Sequence, residues 1–285
     1  MMKFGYRKPA DLQETFDLLE KGDAKILAGG TDLIPRLKKG LIKTGAVIDI
    51  RGVPELARIE EKNGAIRIGP LATHNDIVES PLLREKAPIL PEAAMTMAGP
   101  QIRNMGTIGG NICNASPAGD LLPALLCLHA DFQITSRNGE RLIRAANFFL
   151  GPGTTAMETG EILTDIIIPI PHPKTVGVYL KKGRRQAMEI AQVSVACILR
   201  MNEVIEEIRI ALGAVASTPV RARRAEGILL DSAGDEETIN TAAELACKAC
   251  APIDDVRTTA EYRAEMVKVL TRRAVTRAIK EARSR

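Results

Sequence analysis

Met105-Gly106-Thr107-Ile108-Gly109-Gly110-Asn111-Ile112-Cys113-Asn114-Ala115-Ser116-Pro117-Ala118-Gly119-Asp120 is the stretch on which the reading of this chain turns. It gathers four glycines, two asparagines, a threonine, a serine and an aspartate, and an apolar run from Leu121 to Ala130 follows it. A second glycine-rich turn, Ala28-Gly29-Gly30-Thr31-Asp32-Leu33, lies near the N-terminus. A glycine pair after a strand lets backbone N–H groups face an anion with no side chain in the way. Thr31 and Thr107 add hydroxyls beside the two pairs. Taken alone, either pair reads first as a tight turn. Together, and with the polar residues around the second, they suit a diphosphate held between two loops. Neither loop is a GxGxxG fingerprint and no GxxxxGK[ST] occurs, so a Rossmann or P-loop site is disfavoured.

Outward from these loops the chain alternates between short strands and helices. Residues 11–20 place Leu12, Phe16 and Leu19 on one helical face, with Gly22 as a stop. Residues 25–28, 46–50 and 65–69 read as strands. Residues 75–98 hold two helical stretches broken by prolines, the second ending at Gly99-Pro100, and Met105–Asp120 then reads as a loop into an apolar helix. Asn138-Gly139 marks a hairpin between strands at 132–136 and 141–144. Residues 162–169 form a strand closed by proline. Pro169, Pro171 and Pro173 make the best candidate boundary. Beyond them, 177–182 and 207–215 read as strands, and 193–201 is ambiguous between strand and helix. Helices are expected over 223–230, 238–251 and 262–283. In the last, Met266, Leu270, Ala274 and Ala278 keep near-helical spacing.

The chain has 285 residues, enough for two domains. Its 45% hydrophobic and 26% charged content is that of an ordinary globular protein. No apolar run is long enough to span a bilayer, and the first sixteen residues lack the apolar core of a secretory signal. The five scattered cysteines therefore read as reduced thiols in the cytoplasm. The net charge is +4, but aromatics are only 3% and tryptophan is absent. Platforms for stacking bases are scarce, so the basic groups read as a solvated face or as contacts with an acidic partner subunit rather than with nucleic acid.

Other chemistry-bearing residues have plain readings. Cys247 and Cys250 form a CxxC within an expected helix, which favours core packing over zinc or redox work. His74, His129 and His172 are too dispersed for a metal cluster, although His74 could line a cleft. Asp120 is equally an N-cap for the apolar helix or an acceptor for a ribose or ribityl hydroxyl. Lys181 sits among Lys182, Arg184 and Arg185 and defaults to a solvated lysine. Beside a flavin, its charge would favour the anionic reduced ring. No catalytic triad or carboxylate pair stands out, as fits chemistry carried by a cofactor.

Five segments in order, AGGTDLIPRLKKG, GTIGGNICNASPAGDLLPALL, GPGTTAMETGEILTDIIIP, LGAVASTPVRARRAEGILL and EYRAEMVKVLTRRAV, resemble the FAD-binding medium subunit of the molybdenum hydroxylases. That family includes xanthine dehydrogenase and aerobic carbon monoxide dehydrogenase. The resemblance implies an α+β chain with a two-part FAD-binding domain of the vanillyl-alcohol-oxidase type over 1–171, its parts meeting near residue 52. A smaller α+β C-terminal domain of sheet and helices would occupy 172–285. It further implies that Leu27, Ala28, Gly29, Gly30, Thr31, Asp32 and Leu33, with Thr107, Ile108, Gly109, Gly110 and Asn111, hold the FAD pyrophosphate. Asp120, Leu163, Lys181 and Ala98 match further flavin-contacting positions. No cysteine-bearing insertion for an additional iron–sulphur cluster is present, so FAD is the expected cofactor, bound non-covalently. A separate [2Fe–2S] subunit would pass electrons in, and a separate molybdopterin subunit would oxidise the substrate. NAD⁺, oxygen or another acceptor would take the electrons. The rival readings are a self-sufficient flavin oxidase and a scaffold subunit without FAD.

Overall fold

The computed structural model describes residues 4–185 and 188–285. Met1–Lys3, the start of the N-terminal stretch read above, lie outside it. The first unit runs β1 (Gly5–Arg7), α1 (Leu12–Leu19), β2 (Ala24–Leu27), α2 (Leu33–Lys38) and β3 (Ala46–Asp49). The strands form a parallel sheet in the order β1-β3-β2. Asp11 caps α1 by accepting from Glu14 N at 2.8 Å, and the Glu14 carboxylate returns to Ala10 N. The helix ends at Leu19, and beyond its cap Gly22, at a φ of +75° that suits glycine, donates its N–H to Leu19 O.

The second unit is an antiparallel sheet with helices on one face. Its elements are β4 (Ile59–Lys62), β5 (Ala65–Ile68), α3 (His74–Glu79), α4 (Pro81–Lys86), α5 (Ile89–Met95), α6 (Pro100–Arg103), α7 (Ile108–Cys113), α8 (Leu121–Cys127), β6 (Asp131–Ser136), β7 (Gly139–Arg144), α9 (Ala145–Phe148), β8 (Phe149–Gly151), β9 (Thr154–Thr155) and β10 (Ile162–Pro169). The sheet order is β4-β5-β10-β6-β7. Gly139 takes φ +134° in the expected hairpin. Three sequence expectations change here. Residues 75–98 hold three helices, because Ser80 and Pro81 end one and start the next. Pro100 begins a helix, where its missing N–H costs nothing. Met105–Asp120 is not one loop, since α7 runs through its glycine pair.

The third unit comprises β11 (Val176–Lys182), β12 (Val193–Met201), β13 (Ile205–Gly213), β14 (Val220–Arg221), α10 (Arg223–Leu229), α11 (Glu236–Cys247) and α12 (Ala260–Arg283). The strands make an antiparallel meander. Residues 193–201 are a strand. Val193, Val195, Cys197 and Leu199 join the core under α12, while Ala196 and Ile198 join the core beneath α8. Burial on both faces removes the polar alternation that marks a half-exposed strand. All seven residues of α8 are buried, so it is enclosed on every side. Replacing a leucine there by alanine costs about 2–5 kcal/mol. Cys247 ends α11 and Cys250 lies in the turn beyond, donating to Ala246 O. Both pack against the α12 core, as expected, although the CxxC is not wholly helical.

Candidate functional site

The two glycine loops touch. A Cβ on Gly29 would stand 2.0 Å from Met105 O and 2.9 Å from Gly106 Cα, so only glycine lets β2 run out against the second loop. Gly30 follows with φ +73°. Beyond it Ile34 N donates to Gly30 O, and Arg36 N to Asp32 O, as α2 begins. Among the described residues, no acceptor engages the backbone N–H groups from Gly29 to Leu33. Five consecutive donors at a partly exposed turn are what an anion with several oxygens requires.

The second loop is built differently. Ile108 N donates to Ala72 O, and Gly109 N to Pro70 O, each at 2.9 Å. A Cβ on Gly109 would lie 2.5 Å from Pro70 Cβ, so this glycine serves close packing. Thr107 caps α7 by accepting from Gly110 N at 3.0 Å, and Asn111 N donates to Thr107 O. The reading of the second pair as bare N–H donors is therefore corrected, because protein acceptors already take them. What faces outward is the surface of Gly110. A Cβ there would meet only Thr107 Oγ1, at 3.1 Å. Beside it, Asn111 Oδ1 is buried without a hydrogen-bond partner among the described residues.

The remaining residues of the set fall into two kinds. Leu27, Ile108 and Leu163 bury their side chains in the cores, leaving only their backbone to a ligand. Asp120, Lys181 and Ala98 gather around the end of α5. Asp120 does not cap α8. Its carboxylate accepts from Tyr179 Oη at 3.0 Å and from Lys181 Nζ at 2.7 Å. Lys181 is not a solvated lysine either. Its side chain is 9% exposed, and its ammonium also donates to Thr96 O at 3.2 Å. Burial pushes the Asp120 carboxyl up, against the pull of Lys181. Burial also pushes the Tyr179 hydroxyl well above its usual range, reinforced by the charge of Asp120. Ala98, at φ +35°, lines a cleft of about 300 Å³ with Met95, Thr96, Gly99, Pro100, Arg103 and Met188. The α7 and α8 helices pack together, which joins the Asp120 group to the second loop.

Sequence reasoning missed Tyr179, Thr96 and Arg103. Tyr179 lies two residues before Lys181 on a strand, so period two could have flagged it. Thr96 and Arg103 act through or upon backbone carbonyls, which no side-chain pattern reveals. His74 is buried beneath Gly106, and its own N–H donates to Gly106 O at 2.9 Å. Burial and the nearby Arg103 charge depress its imidazole to about 4. Among the described residues, no group of three His, Cys, Asp or Glu side chains could hold a metal.

The unspent donors of the first loop, the bare face of Gly110 and the orphaned Asn111 oxygen fit a cofactor bearing a diphosphate and hydroxyls. A family model described as the FAD binding domain in molybdopterin dehydrogenase matches residues 2–171. One described as the CO dehydrogenase flavoprotein C-terminal domain matches residues 178–278. The chain is 37% identical over 284 residues to the carbon monoxide dehydrogenase medium chain of Afipia carboxidovorans, covering 99% of this chain and 98% of that one. It is 32% identical over 282 residues to a putative xanthine dehydrogenase FAD-binding subunit of Escherichia coli, covering 97% and 96%. Against a chain in the crystal structure of a Cu,Mo-CO dehydrogenase in its cyanide-inactivated form, the TM-score is 0.95 at 36% identity, covering 99% and 100%.

Proposed function

The chain belongs to the family of FAD-binding medium subunits of the molybdenum hydroxylases, and from that premise we propose that it binds FAD non-covalently and relays electrons within an oxidoreductase complex. The observation that carries the reading is the run of unspent N–H groups from Gly29 to Leu33, set against the second glycine loop. Leu27 to Leu33 and Thr107 to Asn111 border the pyrophosphate, the first segment through the backbone donors of Gly29 to Leu33 and the second through the Thr107 hydroxyl and the open face of Gly110, with Asn111 Oδ1 left to accept from a cofactor hydroxyl. Ala98, Asp120, Leu163 and Lys181 surround the rest of the cofactor. The Lys181 ammonium, fixed by Asp120 and Thr96, places a positive charge where added electrons need compensation. FAD supplies a redox centre able to exchange electrons with one-electron and two-electron partners.

Electrons enter from a [2Fe–2S] subunit served by a molybdopterin subunit that oxidises the substrate. They leave to NAD⁺ or another acceptor. The FAD domain extends to residue 171, and the C-terminal domain begins at 172. We place the complex in the cytoplasm, in keeping with five free cysteines. No helix among the described residues is long and apolar enough to cross a membrane. The test is a visible absorption spectrum of the purified chain after incubation with FAD and desalting. Flavin bands at near one FAD per chain are expected, and their absence together with no measurable FAD binding would overturn the proposal.

A further inference from the structure

The C-terminal sheet ends in an edge strand, β11, and α5 of the second unit covers that edge. An uncovered edge leaves every second N–H without a partner. Gly177, Tyr179 and Lys181 recur with the strand's period of two, while Ile89, Glu92 and Thr96 recur along one side of α5 into its C-cap. The two rows meet pairwise. A Cβ on Gly177 would stand 2.8 Å from Ile89 Cβ, so the backbones approach where only glycine fits. Tyr179 N donates to Glu92 Oε2 at 2.9 Å. Lys181 Nζ donates to Thr96 O.

Glu92 is the middle contact, and both of its oxygens are used. Oε1 accepts from Arg277 Nη1 on α12 at 2.7 Å. A continuous path therefore runs from Arg277 through Glu92 to the Tyr179 backbone, and from the Tyr179 hydroxyl to Asp120 and Lys181. We propose that Glu92, braced by Arg277, is a positioning residue for the flavin: it fixes the height of β11 on α5, and so where the Lys181–Asp120 pair stands in the cofactor site. This rests on the reading that FAD binds beside Lys181. A strand advances about 3.3 Å per residue, so a shift of a fraction of a residue breaks a 2.7 Å ion pair.

The test uses the full chain loaded with FAD and reads two quantities, the FAD dissociation constant and the flavin midpoint potential. Glu92→Leu leaves the Tyr179 N–H without its acceptor. It should weaken FAD binding roughly tenfold and move the potential in the same direction as Lys181→Met does. Arg277→Met should move it the same way by less. Glu92→Gln keeps one oxygen to accept from Tyr179 N but turns its amide NH2 toward the Arg277 guanidinium, so it should move the potential about as far as Arg277→Met does. In a Lys181→Met background, Glu92→Leu should move the potential no further. Wild-type potentials in both Glu92→Leu and Arg277→Met, or a full additive shift on top of Lys181→Met, would overturn the proposal. If Glu92→Leu does not fold, Arg277→Met decides alone, since its side chain is 45% exposed and can be shortened without opening a core. A wild-type chain that takes up no FAD defeats the proposed function and this inference together. Wild-type behaviour of FAD-loaded variants defeats this inference only.

Discussion

The two glycine loops look alike in sequence and differ in what they do with their backbone. From Gly29 to Leu33 the N–H groups have no acceptor among the described residues, while at Ile108, Gly109, Gly110 and Asn111 they are taken by Ala72, Pro70 and Thr107. The first loop is a donor surface, and the second is a wall. Gly29 and Gly109 are both glycines of close approach, whereas Gly110 is the residue whose missing side chain leaves room outside the protein's own atoms. A glycine pair therefore carries at least two messages, and only the disposition of neighbouring carbonyls separates them.

Gly29→Ala should have the largest effect. Its Cβ would meet a backbone oxygen at 2.0 Å, so a fold cost of about 3 kcal/mol or more is expected, with loss of FAD. A variant that melts with the wild type and keeps stoichiometric FAD would remove the contact between the loops from the account. Next comes His74, which supports the wall from beneath. Its pKa of about 4 lies below the ordinary 6.5, so the folded chain binds fewer protons than the unfolded one between those values. Its neutral form supports the fold above pH 6.5, and that stability is lost as pH falls toward 4, by on the order of 3 kcal/mol. His74→Gln should flatten the melting temperature over this window. An unchanged pH profile would show that another group governs it.

Gly110→Val should separate binding from folding. We expect a fold cost of about 1 kcal/mol or less, because only Thr107 Oγ1 is near, and FAD affinity lowered about tenfold or more as the new side chain fills the outward face. Equal losses in melting temperature and in affinity would instead make Gly110 a second packing glycine. The smallest effect is expected from Lys181→Met. Loss of the ammonium should lower the flavin potential by roughly 30 mV for a two-electron couple. Because Lys181 neutralises buried Asp120, the double variant Lys181→Met with Asp120→Asn should recover part of that drop. No recovery would mean that the Asp120 carboxylate exerts no charge on the flavin once Lys181 is gone.

How much of this was legible depended on where each residue finds its partners. Strands such as Ala65–Ile68 and the Asn138-Gly139 hairpin carry their patterns locally, so the sequence alone shows them. The α7 helix does not, because a sequence with two adjacent glycines is a poor local helix former. It is held by the Thr107 cap and by carbonyls on the chain preceding α3. The β12 strand was ambiguous because it lies between two cores. The resemblance supplied both Asp120 and Lys181 but not their pairing, which joins residues 61 positions apart. The local pattern leaves Asp120 between capping and ligand contact and places Lys181 in solvent. Only the fold shows that the cap is not made and that the lysine is buried.

The double burial of β12 also bears on how the chain can be divided. A cut near the three prolines looks natural, yet Tyr179, Ala196, Ile198 and Ala211, all beyond it, are members of the core that surrounds α8. An N-terminal fragment released there would show water the leucine face that these residues cover, and a C-terminal fragment would lose the helix that closes its edge strand. Expressed separately, the halves should collect as aggregates. Expressed together, they should find each other as complementary fragments.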